Sequence, residues 1–159
     1  MGLSSDFVVA DRSEATAVAD TVDRERWPSL QSSGFTILEV GLLHFVLTGA
    51  DPDAPVSPPR FVTSPFSGKE AQVTVGTAYL DGFTCHDDRG EAWVHEVPPS
   101  LVEELAKASG LDAVAAKWAQ LEELEGADPE DVKGVLVELQ GLARLAREQK
   151  KSLLLCTSL

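Results

Sequence analysis

The C-terminal segment from Ala127 to Leu159 constrains the fold most, because a capped amphipathic helix there runs directly into an apolar strand. Asp128 is a typical helix N-cap, and Pro129 suits the first helical position, where an N–H has no partner to lose. The apolar residues that follow recur at helical spacing. They are Val132, Val135, Leu136, Leu139, Leu142, Ala143 and Ala146. The residues predicted on the solvent side are Lys133, Gln140, Arg144 and Arg147.

After Lys151 the hydrophobic pattern changes period. Leu153, Leu154, Leu155 and Cys156 are consecutive, which is typical of a strand covered on both faces. This helix and strand therefore predict where the core of the protein lies.

The rest of the chain contains shorter patterns of the same two kinds. The expected strands are 6–10, 72–80 and 92–97, the last two forming an antiparallel hairpin around a turn at 87–90. The expected helices are a segment from Ser13 to about Val22, a segment from Ile37 to Thr48 that is buried on all sides, and two segments from Ser100 and Asp112. Capping boxes are predicted at Thr36 with Glu39 and at Ser100 with Glu103.

Together these elements predict an α+β fold over residues 1–159. We expect a single domain in which a small, mainly antiparallel sheet packs against a layer of helices. Residues 50–70 contain five prolines, too many for regular structure, so this segment is predicted to be a long loop.

The formal net charge of −13 argues against a nucleic-acid ligand, because binding phosphate requires clustered Lys and Arg. No run approaches the ~20 apolar residues of a membrane span. The first residues lack the basic and apolar regions of a secretory signal, and the two cysteines do not imply a disulfide framework. We therefore expect a cytoplasmic protein without cofactors.

Two segments together resemble the YfbM-like family of uncharacterised bacterial proteins. The run Leu43-His-Phe-Val-Leu-Thr-Gly49 is similar to that family's LH-apolar-LTG signature. The order of elements over 93–159 is also similar: a strand, paired helices, a long helix and a final strand. The Trp usually found just upstream of the LH segment is missing at that spacing. The resemblance implies an α+β fold and a bacterial origin, and no mechanism.

A group of metal-ligating residue types lies around the predicted 87–90 turn. Its candidate ligands are Cys85, His86 and His95, with Asp87, Asp88 and Glu91 between them. The spacing matches no C-x-x-C or H-E-x-x-H pattern, and a structural zinc site takes four ligands. A solvated acidic turn explains the same residues. His44 similarly fits either a general base or a core histidine bonded to a backbone carbonyl.

Six carboxylates lie within residues 122–131. Helix capping and the helix dipole account for Asp128, Glu130 and Asp131. They do not account for Glu122, Glu123 and Glu125, which are predicted near the C-terminal end of a helix, where carboxylates oppose the dipole. The candidate partner-binding residues are Glu122, Glu123 and Glu125, together with the neighbouring Asp128.

The sequence contains no motif that specifies a reaction. The main hypothesis is a non-enzymatic acidic module that binds a basic protein, for example an immunity protein or inhibitor. The alternative is a small metal-dependent hydrolase or ligand-binding protein that uses the 85–95 turn. A third interpretation is that the charge serves solubility alone.

Overall fold

A five-stranded antiparallel sheet forms the centre of the protein in the computed structural model, which describes residues 3–21, 25–76 and 84–159. The strands of these residues are β1 (Ser4–Ala10), β2 (Ser29–Ser33), β3 (Phe61–Thr63), β4 (Glu70–Gln72), β5 (Thr84–His86), β6 (Ala92–Glu96) and β7 (Ser152–Ser158). β3 and β4 form a separate two-stranded sheet, and the other strands form the central sheet. The α-helices are α1 (Ala15–Asp20), α2 (Ile37–Thr48), α3 (Pro99–Lys107), α4 (Leu111–Trp118) and α5 (Pro129–Gln149), with short 3-10 helices at Arg12–Glu14 and Glu122–Leu124.

The strand order of the sheet is β2-β1-β7-β6-β5, which places β7 between β1 and β6. Leu155 lies opposite Phe7 of β1 on one side and His95 of β6 on the other. The side chains from Leu153 to Thr157 are all buried, so the prediction of a strand covered on both faces is confirmed.

Each face of the sheet packs into its own apolar cluster. Phe7 and Leu155 face the larger cluster, which contains the buried residues of α3, α4 and α5 and part of α2. Val8, Leu154 and Cys156 face a smaller cluster formed with α1 and Trp27. The predicted α+β class, with an antiparallel sheet packed against helices, is confirmed.

The N-terminal caps of the two longest helices confirm their predicted starts. Asp128 accepts a hydrogen bond from the Glu130 N–H at 2.8 Å. Thr36 and Glu39 form the expected capping box, and Gly49 ends α2 with a φ of 72°. Only glycine adopts that left-handed conformation without strain. Within the described ranges, no helix is long and apolar enough to cross a membrane.

Three helix predictions are wrong in detail. α3 begins at Pro99 without a Ser100 capping box, because the Pro98 carbonyl accepts from the N–H groups of the first turn. Gly110, rather than Asp112, precedes α4, and its φ of 65° allows the sharp turn out of α3. α2 lies at the outside of the helical layer, where Leu38 is 42% exposed, so it is not buried on all sides.

The region 50–76 differs most from its prediction. Part of the Pro-rich segment forms β3, which pairs antiparallel with β4. The strand predicted over 72–80 ends at Gln72, and residues 77–80 lie outside the described residues. The strand that pairs with β6 across the predicted 87–90 turn is β5.

Gln140 and Arg144 on α5 are polar residues whose side chains bind the end of α3. Gln140 is 7% exposed, and its Nε2 donates to the carbonyl oxygens of Leu105 at 2.9 Å and Ala108 at 2.8 Å. Arg144 Nε donates to the carbonyl oxygen of Ala106 at 2.9 Å. Helix ends leave carbonyls without intrahelical partners. These two side chains therefore cap the C-terminus of α3, and Gln140 does not lie on the solvent side.

Candidate functional site

The turn between α4 and α5 gathers the carboxylates singled out from the sequence. We define the acidic ridge as Glu122, Glu123, Glu125, Asp128, Glu130 and Asp131. All six residues are exposed. Leu124, at 8% exposure, anchors the ridge in the core, and the Ala127 N–H bonds to its carbonyl at 3.0 Å. The carboxylates therefore project from a tight turn rather than from an extended loop.

The structure corrects the reason for considering Glu122, Glu123 and Glu125. The preceding helix ends at Trp118, so Glu122 and Glu123 lie on a separate 3-10 helix, Glu125 directly follows it, and none of the three lies at an α-helix C-terminus. The prediction that these carboxylates oppose a helix dipole is therefore wrong. They remain the candidate residues because all three are exposed, lie close together in sequence, and form no hydrogen bond or ion pair with residues that the structure describes.

Asp128 differs from those three glutamates, because its carboxylate caps α5. The cation beside the ridge is also engaged: Lys133 Nζ lies 2.5 Å from Asp112 Oδ1. The hydrogen bond and charge of Asp112, followed by the charge of Glu130, raise the pKa of Lys133. Lys133 is therefore paired directly with Asp112 and, within the ridge, interacts with Glu130.

The β5–β6 hairpin separates the predicted metal ligands. Cys85 lies opposite Val94, and His86 lies opposite Trp93. Directly opposed residues share a face and neighbours in sequence alternate. His86 and His95 therefore share one face, and Cys85 lies on the other. No group of three His, Cys, Asp or Glu residues in 3–21, 25–76 and 84–159 is arranged to hold a metal ion.

The local chemistry of these groups also favours structural roles. Burial is the main cause that raises the pKa of the Cys85 thiol, followed by the charge of Asp20, so the thiol stays protonated. Burial lowers the pKa of His95. His86 Nδ1 lies 2.8 Å from the carbonyl oxygen of Asp87, within its own turn.

The acidic β5–β6 turn forms a second acidic surface together with Asp20 of α1, which the sequence does not predict beside it. A cavity of about 600 Å³ opens between the end of α1 and the β5–β6 turn. Its lining includes Asp20, Asp87, Asp88 and Glu91, and we call it the acidic cleft. Asp87 stabilises the turn, because its Oδ1 accepts from the N–H groups of Glu91 and Ala92. These hydrogen bonds, led by that of Ala92, lower the pKa of Asp87.

His44 lies on α2, half-buried, with its ring edge-on to Phe45 at 5.5 Å between centroids. Burial lowers its pKa, and the charge of Glu104 opposes that change. His44 therefore packs against Phe45 on a mostly apolar helix, and its hydrogen bond to a backbone carbonyl stays a prediction.

No family model, no curated protein and no solved structure matches this chain.

Proposed function

We propose that this protein binds a basic partner protein through the acidic ridge and acts on it as an inhibitor of the immunity-protein type, without catalysing a reaction. One observation carries the proposal. Glu122, Glu123 and Glu125 are exposed, and no cation in the described residues forms an ion pair with them. Neither a cap nor an internal salt bridge accounts for their charge.

Electrostatics supports a basic partner in two ways. The net charge of −13 attracts a cationic protein over a distance of about 10 Å in 0.1 M salt, which accelerates encounter. At short range, carboxylates on a fixed turn orient that partner. Because backbone hydrogen bonds and Leu124 already hold the turn, binding orders little additional chain.

The alternative function, a metal-dependent hydrolase or ligand-binding protein at the 85–95 turn, has no supporting arrangement in the described ranges. Cys85 and His95 lie on opposite faces of the hairpin. A structural zinc takes four ligands and a catalytic zinc takes three from the protein, whereas His86 and His95 supply two on one face. The likeness to the YfbM-like family stays a prediction, and it names no activity.

The test is affinity capture from a lysate of the organism that encodes the chain, at low and high salt, with bound proteins identified by mass. The key variant is Glu122→Gln/Glu123→Gln/Glu125→Gln, which removes three charges from the ridge. The matched control is Asp20→Asn/Asp88→Asn/Glu91→Gln, which removes three charges from the acidic cleft. Both variants change the net charge equally.

We expect a basic partner that binds the wild-type chain at low salt, dissociates at high salt, binds the cleft variant and fails to bind the ridge variant. Equal capture by both variants would overturn the assignment to the ridge. Absence of any basic partner at low salt would overturn the proposed function itself.

Asp128 needs a separate substitution because it is also a cap. Asn caps a helix about as well as Asp, so Asp128→Asn removes the charge and keeps the hydrogen bond to Glu130. If the Asp128 charge contributes to binding, this variant weakens capture while its unfolding free energy stays close to that of the wild type.

A further inference from the structure

The β3–β4 hairpin carries apolar side chains on a surface that is otherwise strongly acidic. Phe61 is 57% exposed, Val62 is 59% exposed and Phe66, at the tip, is 99% exposed. All six residues of the two strands are exposed. Neither face of this small sheet is therefore covered by the body of the protein as described.

The tip of the hairpin is internally ordered. Ser64 Oγ accepts from the N–H groups of Phe66 at 3.3 Å and Ser67 at 3.2 Å, and Ser67 Oγ accepts from the Lys69 N–H at 3.3 Å. The Gly68 N–H donates to the Ser64 carbonyl oxygen at 2.9 Å. The local fold of the turn thus presents the Phe66 ring to solvent.

The outer edge of β3 offers backbone hydrogen-bonding groups. The Ser64 N–H donates to the Lys69 carbonyl oxygen at 2.9 Å, and the Val73 N–H donates to the Arg60 carbonyl oxygen at 2.8 Å. Hydrogen-bonded and non-bonded pairs alternate along an antiparallel ladder. The N–H and C=O groups of Phe61 and Thr63 therefore point away from β4, and the described residues supply no partner for them.

Charge makes this hairpin the place where two copies of the chain can approach. From Ala54 to Lys69 the sequence contains no Asp or Glu, and it contains two cations, Arg60 and Lys69. Each chain has a net charge of −13, so copies repel one another over the rest of their surfaces. Contact along the outer edge of β3 brings apolar groups together, whereas the carboxylate of this hairpin, Glu70, lies on β4, one strand behind that edge.

We propose that two copies of this chain associate through β3, as antiparallel strands related by a twofold axis at Val62. The outward N–H and C=O groups of Phe61 then form hydrogen bonds with those of Thr63 in the second copy, and Thr63 of the first copy pairs in the same way with Phe61 of the second. Val62 faces its own equivalent, and Arg60 faces Ser64. The register therefore places no like charges directly opposite each other.

The exposed apolar area sets the strength of this dimer. A buried Phe removes ~150–250 Å² from water, so the exposed fractions of Phe61 and Phe66 correspond to roughly 230–390 Å² per copy. Two copies bury roughly 500–800 Å² from these rings, below the ~1,200 Å² of a stable specific interface. We therefore expect weak association, with a monomer at about 1 μM and a dimer at about 1 mM.

Sedimentation equilibrium over that concentration range is the first test, with Val62→Lys as the variant. Val137→Lys is the matched control, because Val137 on α5 is 48% exposed and receives the same substitution. The wild type and the control should dimerise, and Val62→Lys should stay monomeric with an unchanged circular dichroism spectrum. Added salt should strengthen the dimer, because it screens repulsion between acidic chains.

Cysteine pairing with oxidised glutathione tests the register, in a Cys85→Ser background. Val62→Cys should form a disulfide-linked dimer, because the twofold axis brings the two thiols together. Thr63→Cys should not, because its equivalent lies diagonally ~7–8 Å away, beyond disulfide reach. A wild-type monomer at about 1 mM would overturn the dimer. Dimerisation of Val62→Lys equal to that of the control, or crosslinking of both cysteine variants alike, would overturn the β3 interface.

Discussion

Replacing Gln140 by Leu should destabilise the protein, although it exchanges a polar residue for an apolar one of similar size on an amphipathic helix. The side chain is 7% exposed and donates to two carbonyl oxygens at the end of α3. Leu leaves both acceptors without that donor. The Leu105 oxygen keeps the Ala108 N–H as a donor at 3.3 Å, so losing the Gln140 bond there costs about 0.5–1.5 kcal/mol. The Ala108 oxygen is partly accessible to water, and losing its bond costs about 0.5–1 kcal/mol.

The two losses together are about 1–2.5 kcal/mol, and the extra apolar burial of Leu offsets less than about 1 kcal/mol of this. For a chain of this size, a net loss of about 1–2 kcal/mol corresponds to a fall in Tm of about 2–8 °C. Urea unfolding followed at 222 nm measures the free energy directly.

Gln149→Leu is the matched control, since Gln149 is exposed on the same helix. It should change the free energy of unfolding by less than about 0.5 kcal/mol. If Gln140→Leu proved as stable as Gln149→Leu, the assignment of Gln140 as a structural cap of α3 would be refuted.

Three further predictions concern the helix glycines, the histidines and the central strand. Gly134→Ala/Gly141→Ala should raise the unfolding free energy by about 1–2 kcal/mol in urea titration, because a Cβ at either position meets open space, and an unchanged or lower value would contradict this. Burial lowers the pKa of His44 and of His95 in the folded state, so the unfolded chain binds more protons below the ordinary value of 6.5. Stability should then fall as the pH drops through 6.5, and His44→Gln/His95→Gln should reduce that dependence between about pH 7.5 and 5.5; an identical slope would exclude both groups as its source. Deletion of residues 152–159 removes the strand between β1 and β6 and should abolish cooperative melting, whereas a melt near the wild-type midpoint would show that β7 is dispensable.

The elements predicted correctly are those that a local sequence pattern marks. The Asp128 cap, the apolar stripe of α5 and the continuous apolar run of β7 each lie within a few neighbouring residues, and all three occur as expected. The α2 boundaries were equally predictable from Thr36 and Gly49.

Features that depend on distant residues were missed. β2 is rich in Ser and Gln and becomes a strand because β1 provides a partner, while β3 forms despite nearby prolines because β4 pairs with it. Gln140 resembles a surface residue until the end of α3 approaches it. The acidic cleft similarly joins Asp20 to residues nearly 70 positions later.

The acidic ridge was predictable as a charge cluster because its residues are adjacent in sequence. The reason for its exposure was not predictable, since it depends on α4 ending at Trp118. That residue is fully buried, and its indole N–H donates to the Glu39 carbonyl of α2 at 3.0 Å.

The position of β7 also affects how the chain folds during synthesis. Ser4 pairs with Ser158, so the two strands of this ladder are separated by almost all of the described sequence. Within the sheet, β7 is the strand that connects the β1–β2 pair to the β5–β6 pair. While the ribosome is still synthesising α5, the apolar edge of β1 has no strand to pair with on that side. The sheet therefore completes after β7 leaves the exit tunnel, and contacts of such long sequence separation make this step slow. Until then, the nascent chain carries a sheet edge that chaperones can protect from aggregation.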